Sequence, residues 1–168
     1  MAFDTLIMTD TEVKDLAVND TYFDESYFTN YILTSQRKYV KPVLGKDWYN
    51  EILTQIETAS LTADNSVIVE SFIKPALAHY VVYEVYSNVH VQLTNQGSMN
   101  NDTEFSDQGD SFDYSQSRDF FINKADFWKV DMIDYIKDEQ DDDATKYPLY
   151  DECKGSPQVN KKGIIFYG

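Results

Sequence analysis

The sequence predicts a mainly α-helical protein: four to five helices around a long central helix, with a long acidic loop and an extended C-terminal arm. Three observations carry this. Residues 65–93 are almost continuously apolar yet hold Glu70, Lys74, His79 and Glu84. A helix apolar nearly all round is normally buried, with other helices laid against it. The flanking segments place apolar residues every three to four positions, the helical period. The 168 residues include only 6 Gly and 4 Pro, which favours long regular elements over many turns.

The elements follow in order. Residues 3–17 read as a short first helix. Thr9 and Glu12 have the capping-box spacing, and Val13, Leu16 and Ala17 form a small apolar face. Residues 22–39 read as a second helix with Asp24 as N-cap and an inward stripe of Tyr27/Phe28, Tyr31/Ile32, Ser35 and Tyr39. Arg37, Lys38 and Lys41 suit the negative end of its dipole, and Pro42 and Gly45 are expected to break it. The pattern resumes over 46–58 through Trp48, Tyr49, Ile52, Leu53 and Ile56. A polar connection, 57–64, precedes the central helix, whose expected cap lies among Asp64, Asn65 and Ser66. Pro75 lacks an N–H and crowds the preceding turn, so a kink or restart is expected there.

Residues 94–115 are rich in Asn, Asp, Ser and Gly and read as a mobile or working loop, with room for a short hairpin. The last helix is expected from Ser115 or Ser117 to about Glu139. Its stripe is Phe121, Ala125, Trp128, Met132 and Tyr135/Ile136, and Phe120 and Phe127 lie off it, free to meet another surface. The acidic run 138–143 opposes the helix dipole, so fraying is expected. The division is therefore a helical domain, 1–145, and an arm, 146–168. The arm's end, Ile164, Ile165, Phe166 and Tyr167, has strand-like composition and is a candidate assembly arm, docking on its own core or on a neighbour.

Composition narrows the function. The net charge is −15, which opposes a phosphate-gripping surface, since that needs clustered Lys and Arg. The single Cys153 rules out an internal disulfide and a four-cysteine zinc site. The first twelve residues lack a basic region followed by an apolar core, so no secretory signal is expected. Glu70, Lys74 and Glu84 make the central stretch too polar for a membrane span. There is no phosphate-cradling Gly-rich loop and no nucleophile elbow. His79 and His90 lie too far apart for a two-histidine metal pair, and the acidic groups lack calcium-loop spacing. No catalytic residue, cofactor or metal is expected, and the chain reads as a non-enzyme.

Two segments look alike. Tyr39-Val40-Lys41-Pro42-Val43-Leu44 and Phe72-Ile73-Lys74-Pro75-Ala76-Leu77 both run aromatic, β-branched, Lys, Pro, small apolar, Leu. Coincidence and a duplicated helical unit both account for this. The motif residues Tyr39, Lys41, Pro42, Gly45, Trp48 and Tyr49 have a structural reading: a tight bend between packed helices, with the aromatics filling core.

The stretch Gln36 to Leu53, the helix around Phe72 to Glu84 and the polar Thr94-Asn95-Gln96-Gly97 also carry a resemblance. Together they resemble a family of small helical proteins of tailed bacteriophages, including phages of Bacteroidetes hosts and crAss-like phages. The resemblance covers roughly residues 25–97; the acidic loop, last helix and arm carry no matching motif. That family looks like the head-tail connector, or adaptor, of the virion neck. The resemblance implies a ring of about twelve copies under the portal protein. Such a ring extends the DNA channel and docks the tail or the next neck ring. DNA passes through without specific binding, and no membrane is involved. The implied location is the virion neck, after synthesis in the host bacterial cytoplasm. The alternatives are a stopper or other head-completion ring, or, from a different class, a soluble acidic helical adaptor or inhibitor of a basic partner.

Overall fold

A computed structural model describes residues 5–18, 26–89, 91–94, 97–100 and 111–150. The fold is mainly α-helical, as expected. Its first helix, α1 (Asp10–Ala17), begins where the capping box places it. The Glu12 N–H donates to Thr9 Oγ1 at 3.3 Å, and the Thr9 N–H donates to Glu12 Oε2 at 2.7 Å. Met8 and Val13 take the positions of a hydrophobic staple and both are buried. Residues 5–9 are not helical, contrary to the expected start at residue 3. Their backbone is held instead by the fully buried Gln36. Gln36 Oε1 accepts from the Ile7 N–H at 3.1 Å, and its Nε2 donates to the Thr5 carbonyl at 2.8 Å.

The next helix runs unbroken over 26–44 as α2 (Ser26–Ser35), a π segment (Gln36–Val40) and α3 (Lys41–Leu44). Pro42 therefore does not break it. The Lys41 N–H reaches back five residues to the Gln36 carbonyl. An ordinary α-turn would drive the proline ring against the carbonyl of Lys38; the wider turn opens that position. The extra residue also shifts the inward stripe. Phe28, Ile32, Ser35, Gln36, Val40 and Val43 are buried, and Tyr39, expected inward, is displaced to the flank. Only Gly45 ends the helix. Its φ of 78° and ψ of 165° turn the chain into α4 (Lys46–Glu57) with one residue, a conformation essentially confined to glycine.

The central helix repeats the device. It runs over 63–89 as α5 (Ala63–Ile68), a second π segment (Val69–Ile73) and α6 (Lys74–Val89). Thr62, not the expected residues 64–66, is the N-cap, accepting from the Asn65 N–H at 3.3 Å. The Lys74 N–H bonds to the Val69 carbonyl, and Pro75 follows without a restart. The two look-alike segments thus share a local structure: a π segment closed by Lys-Pro. Nearly the whole circumference of α6 from Ala76 to Val82 is buried. It packs against α1, α2 and α7, which makes it the core element that the sequence pattern requires.

The central helix stops at Val89. Residues 91–94, expected to be partly helical, form β1 (Val91–Thr94), which pairs antiparallel with β2 (Gly97–Asn100). Residues 101–110 of the acidic loop lie outside the described residues. The last helix, α7 (Ser111–Asp142), starts earlier and ends later than expected. Among its described side chains Ala125, Met132 and Ile136 are buried, on the expected stripe. The acidic end stays helical because the chain folds back over it. Lys146 Nζ lies 2.5 Å from Glu139 Oε2, and Gln140 Nε2 donates to the Tyr147 carbonyl at 3.2 Å. Asp143 Oδ1 accepts from the Thr145 N–H at 2.9 Å. Tyr147 and Tyr150 are buried against Trp48, at ring distances of 5.6 and 5.9 Å. The first residues of the expected arm therefore belong to the core. The rest of that arm, with Ile164, Ile165, Phe166 and Tyr167, lies outside the described residues, as does Cys153.

Candidate interaction surface

The motif residues divide into two roles. Trp48 and Tyr49, near the start of α4, are 2% and 3% exposed and fill the core. Trp48 Nε1 donates to Asn65 Oδ1 at 3.0 Å, and Asn65 Nδ2 donates to Gln55 Oε1 at 2.9 Å. This chain ties α4 to the start of the central helix. Lys41 lies over the Tyr49 ring at 5.8 Å. Pro42 and Gly45 shape the corner. Tyr39 alone joins a different group of residues.

That group sits where the first π segment meets α6 and α7. The rings of Tyr39 and Tyr80 stack in parallel, 4.0 Å apart and 2° from coplanar. Each hydroxyl donates to a carboxylate: Tyr39 to Glu84, and Tyr80 to Asp126 at 2.7 Å. Each carboxylate also holds a lysine, Lys38 on Glu84 at 2.6 Å and Lys129 on Asp126 at 2.5 Å. Two Tyr–carboxylate–Lys units thus meet across the ring stack and clamp three helices. Burial and the Glu84 contact push the Tyr39 hydroxyl up to about 12. Burial and Asp126 raise Tyr80 further. Partial burial opposes ionisation of Glu84 and Asp126, but their lysine and tyrosine donors outweigh it and hold both below the usual carboxylate range.

Other charges in the central stretch are also accounted for. Lys74 Nζ lies 2.6 Å from Glu12 and 2.8 Å from Glu70, which joins the central helix to α1. His79 is buried, with Nδ1 2.7 Å from the Pro75 carbonyl. Since a carbonyl only accepts, Nδ1 carries the proton there. Burial pushes the His79 pKa down, so the ring is neutral. Among the described residues no group of three or more His, Cys, Asp or Glu is placed to hold a metal ion. No helix among them is long and apolar enough to cross a membrane.

The remaining feature is what α7 turns outward. Phe120, Phe127 and Val130 are 53%, 59% and 52% exposed. Their spacing of seven and then three puts them on one face of the helix. Asp131, Asp134 and Asp138, all exposed, continue that face toward the C-terminus. An apolar patch thus runs into an acidic one along the exposed face of α7. Phe120 and Phe127 were legible as off-stripe aromatics. The clamp was not, since Tyr80, Glu84, Asp126 and Lys129 come together from helices distant in sequence.

No curated protein sequence and no solved structure matches the chain. A family model does match, over residues 40–158, which takes in everything from the first Lys-Pro corner to beyond the fold-back after α7. The chain therefore belongs to DUF6712, a family of unknown function.

Proposed function

We propose that this protein is a structural component of the neck of a tailed bacteriophage: a head-tail connector that forms a ring under the portal. The observation that carries the reading is the exposed Phe120–Phe127–Val130 face of α7, an apolar surface that nothing among the described residues covers. Subunit contacts in a ring would cover it. The resemblance over residues 25–97 supplies the identity of the ring. The net charge of −15 agrees with a DNA channel that must not bind its cargo, because acidic walls repel phosphates. No catalytic step belongs to this reading; the chain works through its surfaces.

A stopper or other head-completion ring shares these features and differs only in which ring it touches. The acidic C-terminal half of α7 favours one reading of another class, an adaptor whose partner is a basic protein. Co-expression with the portal protein of the same genome, followed by native mass spectrometry, separates them. A complex with one copy per portal subunit supports the connector. A monomer that ignores the portal and captures a basic partner supports the adaptor.

A further inference from the structure

The exposed face of α7 has an order, and the sequence that follows the helix has a matching one. Read back from its C-terminal end, the face presents Asp138, Asp134 and Asp131, then Val130, Phe127 and Phe120, all exposed. Among the described residues none of these three carboxylates is in an ion pair. Lys124 sits over the Phe120 ring at 5.8 Å, at the far end from the aspartates. After Glu152 the sequence carries Lys154, Lys161 and Lys162 and no acid. Lys161-Lys162-Gly163 leads straight into Ile164-Ile165-Phe166-Tyr167. The fold-back brings the chain to the acidic end of the helix, where Tyr147 packs on Tyr135 at a ring distance of 6.4 Å. From Tyr150 to Lys161 the chain can span up to about 36 Å. The helix from Tyr135 back to Phe120 is only about 22 Å long, so the whole face is within reach.

We infer that residues 161–167 lie along this face of their own chain, antiparallel to α7. Lys161 and Lys162 then meet the aspartates, and the apolar residues cover Val130 and Phe127. The spacing agrees. Lys162 to Phe166 is about 13 Å in an extended chain, and Asp134 to Phe127 is about 10 Å along a helix. A parallel course would set the apolar residues on the aspartates. Charge selects this segment over the others outside the described residues. Residues 1–4, 19–25 and 101–110 contain acids and no Lys or Arg, so each would bring like charge to the acidic end of the face. Tethering selects the same chain over a second copy, because a short linker holds its segment at an effective concentration of about millimolar. The inference concerns the isolated subunit and does not need the ring. In the ring proposed above, a neighbour would reach Phe127 only by displacing the segment, so the same contact would keep free subunits apart.

The test uses full-length protein carrying Cys153→Ser, Phe127→Cys and Ile165→Cys, dilute, without the portal, under mild oxidation. Circular dichroism checks that the helices are kept. The expected product is a monomer whose two thiols are lost to an internal disulfide, seen as faster migration on a non-reducing gel. A control with Glu51→Cys, exposed on α4, in place of Phe127→Cys should keep its thiols. A disulfide-linked dimer would overturn the inference in favour of exchange between copies. Free thiols at Phe127→Cys, or equal cross-linking in the control, would overturn it as well and leave the connector reading standing. A charge exchange gives a second readout. Asp134→Lys should slow the cross-linking about threefold at low salt, and Lys162→Glu added to it should restore the rate. Failure of the pair to rescue would contradict the antiparallel register.

Discussion

Replacing Trp48 by alanine tests the core most severely. The indole is 2% exposed, packs edge-on and tilted against Tyr150 and Tyr147, and donates a 3.0 Å hydrogen bond to Asn65. Removing a buried Trp side chain costs about 3–5 kcal/mol in lost burial and cavity. Losing the donor also leaves Asn65 Oδ1 without it, which costs about 1–3 kcal/mol when such an acceptor stays dry. It does not stay dry here, because Trp48 and Asn65 border a recess of about 130 Å³ through which water can reach it. The expected loss is therefore about 4 kcal/mol, within the range for the truncation alone. Urea unfolding followed by circular dichroism at constant pH measures it. The fold-back of residues 143–150 should loosen as well, because Trp48 is what its two tyrosines pack on. Tryptic cleavage after Lys146 should then speed up in the variant. A loss below about 1 kcal/mol, with Lys146 still protected, would refute the placement of Trp48 as the joint between α4, the central helix and the fold-back.

Three further predictions follow from the geometry. Folded-state pKa values are depressed at Glu12, Glu84 and Asp126, from ordinary values of 4.5, 4.5 and 3.8, and at His79 from 6.5. Each group binds fewer protons folded than unfolded, so each contributes stability at high pH that is lost as pH falls. The urea midpoint should decline below about pH 6.5 as His79 must charge, then more steeply below about 4.5; a maximum near pH 4 would contradict the assignment. Deleting Ser71, an exposed residue of the second π segment, should leave both flanks in register but force Pro75 into an ordinary α-turn, at a cost of about 3 kcal/mol. Adding Pro75→Ala should recover most of that, and thermal melts showing no rescue would separate the wide turn from the proline. Gly45→Ala should cost about 1–3 kcal/mol from backbone strain alone, since a Cβ there meets nothing within 4 Å; a neutral melt would show that the corner tolerates other backbone conformations.

The helices were legible because their signals are local. The Thr9–Glu12 box, the near-continuous apolar pattern of α6 and the Ala125–Met132–Ile136 stripe each specify an element from residues a few positions apart. The two prolines misled for a physical reason. A proline inside a helical pattern ordinarily ends or kinks it, and nothing in the period alone announces a π segment that accommodates one. The repeated aromatic–β-branched–Lys-Pro sequence was the available clue. The end of α7 was misread because dipole arguments treat the helix alone. Lys146, from the fold-back, supplies the cation that a helix ending in acids lacks. The Tyr39–Tyr80 clamp was invisible for a simpler reason: its partners lie about forty residues or more apart, and no pattern of period links them.

The proposed connector role requires a place in the virion. Immunogold electron microscopy of particles from the encoding phage, with antibody raised against this chain, tests it most directly. A connector gives label confined to the head-tail junction, just below the portal vertex. Particles without label, or label over the capsid shell or the distal tail, would contradict it.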